Sequence, residues 1–329
     1  MQKKTSFNKS IVPHNEFLRD FPDINNEIYN SLTNYLATEN LTKIAQPNLI
    51  IGEDGSGKTF LLHKIIRHIN KNFSNKFIPI IIEGKSLYST KNIWNKCALH
   101  LNISGKNNTF DEIINWQKEN SKRIILLIDN IQYYFERTNN VEHYDFRGKI
   151  YKAGAPIIVA TSNNVLPAFT EYNAAFFDGF KISYLKPLTS ETIKNIVGNK
   201  YDISRVEKLM FYLPKTIKSL IITLEIISRN QDSANDIQIL LDLYNLYFQS
   251  KYDSLSTPTQ KILTSISHSD NNIILSEIRE KTGLENGKIS PYLKLMINQK
   301  VLGKETKTER GGAYYITDPL FKLWLKQNC

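Results

Sequence analysis

The chain has 329 residues and a mass of 38.0 kDa, with 42 Lys+Arg against 32 Asp+Glu, a formal charge of +10 and a pI near 9.3. A 41% hydrophobic and 11% aromatic share, with Gly 14 and Pro 11, excludes low-complexity and collagen-like chains and supplies apolar material for two or three domains. Two cysteines, Cys97 and Cys329, cannot build a disulfide scaffold, and neither sits at metal-ligand spacing, so a reducing compartment is expected. The N-terminal run MQKKTSFNKSIVPHNEF is basic with no apolar stretch behind it, and no window holds about 18 uninterrupted apolar residues. A soluble, cytoplasmic protein with no membrane partner is expected.

In residues 1–44, Phe21, Ile24, Ile28, Leu32, Tyr35 and Leu36 recur at helical spacing. Five apolar, β-branched runs then punctuate the chain: Pro47 to Ile51, Phe77 to Glu83, Arg123 to Asp129, Pro156 to Thr161 and Phe180 to Leu185. Helical patterns lie between them, including Phe60, Leu61, Leu62, Ile65, Ile66 and Ile69. Strands alternating with helices predict an α/β domain whose parallel sheet is covered on both faces. After about residue 188 only helical patterns remain, up to a boundary at Ser254 to Pro258. Three short helices follow, from about Pro258, Leu275 and Gly287, and then a hairpin over Val301 to Ile316 that turns at Gly311 and Gly312. That is the winged-helix order. The divisions are therefore 1–44, 45–187, 188–252 and 253–329.

Gly52-Glu53-Asp54-Gly55-Ser56-Gly57-Lys58-Thr59 matches G-x-x-x-x-G-K-[ST] between an apolar strand and an amphipathic helix, the context a phosphate-binding P-loop requires. Gly52, Gly55 and Gly57 let the backbone wrap phosphates, with Ser56 and Phe60 beside them at the helix start. Lys58 is placed to reach β- and γ-phosphates, and the Thr59 hydroxyl to hold Mg²⁺. Such a site also needs a carboxylate for the metal at the end of a neighbouring strand, and Asp129 supplies it. The next residue, Asn130, is an amide that cannot act as a general base, so hydrolysis is expected to be slow unless another acid substitutes; Glu136 is the nearest one downstream. Thr161-Ser162-Asn163 closes the fourth strand at the edge where ligands bind open parallel sheets, and Asn163 or Ser162 is the candidate for sensing the γ-phosphate.

With this P-loop, the acid-ended strand, the segment Leu185-Lys186-Pro187-Leu188-Thr189 and the ending Tyr314 to Trp324, residues 45–329 resemble AAA+/STAND-type P-loop ATPases of the archaeal-ATPase kind. The layout is similar to that of archaeal origin-recognition initiators. The resemblance implies a sheet of order 5-1-4-3-2 flanked by helices, then an α-helical lid and a C-terminal winged helix, with ATP and Mg²⁺ held between sheet and lid. It implies a basic lid residue beside a G-x-P motif, which falls on Lys215 in Tyr212-Leu213-Pro214-Lys215, although the Gly is missing. It also implies an N-terminal segment near the adenine, but ordinary core packing is the favoured account of that helix. No Arg precedes the fifth strand, where a neighbouring subunit's trigger would sit; Arg137 or Arg147 are alternatives.

The charge excess is +6 over residues 1–187, 0 over 188–250 and +4 over 251–329, so the C-terminal segment is the denser candidate for nucleic acid. Lys288, Ser290 and Tyr292 on the third helix and Lys304, Lys307 and Arg310 on the hairpin are the candidate contacts to double-stranded DNA. Two readings follow: an ATP-binding, slowly hydrolysing switch whose winged helix binds DNA, or a STAND-type signalling or defence ATPase whose winged helix docks protein. A homo-oligomer is possible under either.

Overall fold

Alternation along five strands sorts their side chains onto the two faces of one parallel sheet. The computed structural model describes residues 25–40, 42–103, 109–306 and 312–329. They divide into two compact units, the first ending at Thr192 and including Thr216–Lys218, the second made of Ile193–Lys215 and Ser219–Cys329.

In the first unit, β1 (Asn48–Ile51), β2 (Phe77–Glu83), β3 (Arg123–Asp129), β4 (Ile157–Ser162) and β5 (Lys181–Tyr184) pair in parallel in the order β2-β3-β4-β1-β5. This is the 5-1-4-3-2 order that the resemblance implies. The helices of this unit are α1 (Asn26–Thr38), α2 (Lys58–Asn72), α3 (Thr90–His100), α4 (Thr109–Glu119), α5 (Gln132–Arg137), α6 (Asn140–Ile150) and α7 (Pro167–Thr170). Successive residues of β3 face opposite ways. Ile124, Leu126 and Ile128 join Trp94, Phe110, Tyr134 and Phe146 in one cluster. Ile125 and Leu127 join Leu32, Leu36, Leu61, Leu62, Ile65 and Ile69 in the other. All five are fully buried, each contributing about 1.5–3 kcal/mol by leaving water. The N-terminal helix α1 thus builds the core beneath the sheet; Phe21 and Ile24 lie outside the described residues.

Buried Arg123 opens β3 with a polar cluster. Its guanidinium donates to Ala155 O (2.9 Å), Asn40 O (2.6 Å), Lys43 O (2.8 Å) and Glu39 Oε2 (3.1 Å). The segment after α1 is held to the N-terminal end of the sheet by one side chain.

In the second unit the helices are α8 (Ser190–Val197, which begins in the first), α9 (Ile203–Met210), α10 (Ile217–Arg229, whose first two residues belong to the first), α11 (Asp236–Asp253), α12 (Thr257–Ser267), α13 (Leu275–Thr282), α14 (Asn286–Asn298) and α15 (Pro319–Asn328). Short strands β6 (Ile273–Ile274), β7 (Leu302–Thr306) and β8 (Gly312–Ile316) form an antiparallel sheet in the order β6-β8-β7. The residues between β7 and β8, with Lys307, Arg310 and Gly311, lie outside the described residues. Pro258 sits in the first turn of α12, where its missing N–H costs nothing. Phe248 of α11 meets Phe321 of α15 at a ring distance of 5.2 Å, and Trp324 donates to Asn245 at 2.8 Å. The helices before residue 254 and the C-terminal ones therefore share a core.

Candidate nucleotide-binding site

The loop between β1 and α2 owes its path to its glycines. Gly55 and Gly57 have φ of 77° and 98°, a region in which a Cβ is strained. A Cβ on Gly52 would lie 2.6 Å from Ser56 Oγ. The turn delivers the chain to the N-terminus of α2, whose Leu61, Leu62, Ile65 and Ile69 anchor it to the sheet. Lys58 is buried, and its ammonium donates to Gly52 O (2.7 Å) and Glu53 O (2.9 Å). Burial pushes its pKa below the ordinary lysine value, opposed by Asp54, Asp129 and Glu53. Ser56 Oγ is buried without a hydrogen-bond partner. A buried hydroxyl without a protein partner in a glycine-rich loop is what a phosphate oxygen would satisfy.

Asp129, at the C-terminal end of β3, is buried and reaches this loop. Thr59 Oγ1 donates to Asp129 Oδ2 at 2.5 Å, and Thr161 Oγ1 donates to Asp129 Oδ1. The Thr161 hydroxyl in turn accepts from Asn130 N at 2.9 Å. Asn130 has φ 58°, and its Nδ2 donates to Glu83 Oε1 at 3.3 Å. A hydroxyl and a carboxylate are hard oxygen donors, as Mg²⁺ binding at a phosphate site demands, so the residues fit that ion. Thr59 and Asp129 would hold it, and it would neutralise phosphate charge.

A Walker-type ATPase of Pyrococcus abyssi is similar over 92% of this chain and 95% of its own, at 17% identity and a TM-score of 0.58. Cdc6p of Pyrobaculum aerophilum is similar over 97% and 99% at 13% identity, with a TM-score of 0.54. The ORC1 protein of Aeropyrum pernix, in complex with DNA, is similar over 97% and 94% at 13% identity, with a TM-score of 0.51. The fold is that of Walker-type and origin-recognition ATPases. No family profile and no curated protein sequence matches the chain.

Within this ATPase fold the other expected residues fall unevenly. Phe60 is half-buried on α2 with the Arg67 guanidinium 5.8 Å above its ring. Asn163 is exposed beyond β4, whereas Thr161, two residues earlier, makes the bond to Asp129. Ser162 Oγ turns back to Asn164 O at 2.7 Å. Lys215 donates to Met210 O at 3.0 Å and caps α9. The basic residue that joins the P-loop is Lys218, whose N–H donates to Gly55 O at 3.1 Å and whose ammonium lies 3.5 Å from Asp54. Arg137 donates to Lys85 O and Arg147 to Ala175 O.

On α14, Ile289, Leu293 and Met296 are buried, leaving Lys288 and Ser290 on the exposed side and Tyr292 half-buried. Lys288 lies 3.6 Å from Glu285. Lys304 on β7 is exposed, with its ammonium 5.7 Å from the Tyr314 ring centre. Among the described residues no helix is long and apolar enough to cross a membrane.

Thr161, Glu83 and Lys218 bond to Asp129, Asn130 and the P-loop, and none of them stands among the candidates drawn from sequence. Glu83 carried a signal: it ends the apolar run of β2 as Asp129 ends that of β3. Thr161 and Lys218 gave none that sets them apart from neighbouring polar residues.

Proposed function

We propose that this chain is an AAA+-like switch that binds ATP with Mg²⁺ at Gly52 to Thr59, turns it over slowly, and uses residues 253–329 as a winged helix that binds double-stranded DNA. The observation that carries the nucleotide part is the Thr59 hydroxyl 2.5 Å from Asp129, beside buried Lys58 and the orphan Ser56 hydroxyl. Backbone amides and Lys58 would take the β- and γ-phosphates, with Thr59 and Asp129 taking the metal. Slow turnover is the expectation at the residue after Asp129, because the Asn130 amide accepts no proton from water and any base must come from another carboxylate. The DNA part is supported by the exposed Lys288, Ser290 and Lys304, by the local charge of +4, and by the DNA complex of the similar ORC1 protein.

Calorimetry with Mg·ATP tests the first part: wild type binds, and Lys58→Ala loses binding. Duplex affinity measured against salt tests the second. A variant with alanine at Lys304, Lys307 and Arg310 should lower the salt slope by about 3 if each lysine or arginine neutralises one phosphate. No duplex binding at low salt removes the DNA reading and favours a C-terminal module that docks protein.

A further inference from the structure

The carboxylate missing after Asp129 is available on the neighbouring strand. β2 and β3 run in register over their length, with Glu83 directly beside Asp129 at the C-terminal edge of the sheet. Registered neighbours on adjacent strands project to the same side about 4.8 Å apart. Glu83 is exposed, so water reaches it. Its Oε1 accepts from Asn130 Nδ2, and Asn130 N donates to Thr161, whose hydroxyl binds Asp129. One hydrogen-bonded chain thus runs from Glu83 through Asn130, Thr161 and Asp129 to Thr59.

The backbone is shaped for this contact. A Cβ on Gly84 would lie 2.2 Å from Asn130 O, so the close approach of the two strand ends needs glycine there. Asn130 occupies the left-handed region, which asparagine tolerates and glutamate does not, because its short amide bonds locally. A glutamate at 130 would be strained, whereas Glu83 sits in extended backbone. Glu136 and Asp54 fit worse. Glu136 lines a separate 380 Å³ cleft with Asn140, His143 and Glu171, a cleft whose walls include no P-loop residue. Asp54 is paired with Lys218.

We propose that Glu83 is the general base of ATP hydrolysis and that Asn130 positions it; this rests on the nucleotide-binding reading above. Glu83 takes a proton from water as the water oxygen bonds to the γ-phosphorus. The bond from that phosphorus to the β–γ bridging oxygen breaks, its electron pair leaving with ADP. The proton then passes to phosphate or solvent, restoring the carboxylate.

Glu83 also accepts from Lys85 N at 3.4 Å, capping the turn Gly84–Ser86. Glu83→Gln keeps an oxygen for that cap and removes the base. With the full chain, Mg·ATP affinity is measured by calorimetry and turnover by single-turnover release of labelled phosphate. Glu83→Gln should bind ATP within about threefold of wild type and turn it over about 100-fold more slowly. Asn130→Ala should slow turnover by about tenfold with affinity held, as loss of positioning requires. Turnover by Glu83→Gln within about twofold of wild type overturns the proposal and leaves only the cap. A wild type that binds ATP without hydrolysing it overturns the role of Glu83 alone. A wild type that binds no ATP overturns the nucleotide reading, and the base with it.

Discussion

Replacing Arg123 by Met removes four hydrogen bonds at once and leaves the Glu39 carboxylate, 9% exposed, without its cation. Burial draws the guanidinium pKa down from the ordinary arginine value and Glu39 draws it back up, so the group stays charged near neutral pH. Breaking one side of a buried pair costs about 3–5 kcal/mol, because the surviving charge has lost its water and its partner. At about 2–4 °C per kcal/mol for a unit of this size, the melting temperature should drop by about 6–20 °C. Hydrogen exchange of the β3 amides reads the opening of this unit apart from the other. Adding Glu39→Leu should recover about 1–3 kcal/mol of the loss, since no unpaired charge remains. A loss under about 1 kcal/mol in Arg123→Met, or strict additivity with Glu39→Leu, would refute the account.

Thr161→Val keeps the shape but removes the donor to Asp129 and the acceptor for Asn130 N. It should cost about 1–3 kcal/mol of stability in a denaturant titration and weaken Mg·ATP binding by calorimetry. Burial pushes the Cys97 thiol up to about 12, while Cys329 is exposed. A thiol reagent should therefore label Cys329 in the native chain and both cysteines only after unfolding. Burial lowers the His143 pKa from its ordinary 6.5, partly offset by Glu142. Between the folded and unfolded values the unfolded chain binds more protons, so stability rises with pH through that window and is lost as pH falls below 6.5. Melting temperatures from pH 7 to 5 should fall more steeply for wild type than for His143→Gln.

The α/β sheet was legible because its strands are short, apolar and each ended by punctuation. Loop and acid were legible because phosphate chemistry restricts residue type and spacing. What stayed hidden depends on register. Nothing in the order of residues places Glu83 beside Asp129; that follows only when β2 pairs with β3. Asn163 and Ser162 stand out as polar residues closing β4, yet Thr161, still within the strand, bonds Asp129, and Asn163 lies past the strand end and is exposed. Lys215 matched a motif by position, but its ammonium is used by the end of α9, and Lys218 reaches the loop instead. Arg123 read as the first residue of a strand; its partners, more than 30 residues away, were beyond any local pattern.

β3 carries its two charged residues at opposite tips. Arg123 clamps the floor of the sheet, and Asp129 faces the loop about 20 Å above it. Five fully buried aliphatic residues separate them like an insulating spacer. Heat resistance can accordingly be tuned at the floor by altering the clamp and its contacts, with no change to the groups that would meet a nucleotide. Drift in thermal tolerance and drift in turnover would then leave their marks on different ends of the same seven residues.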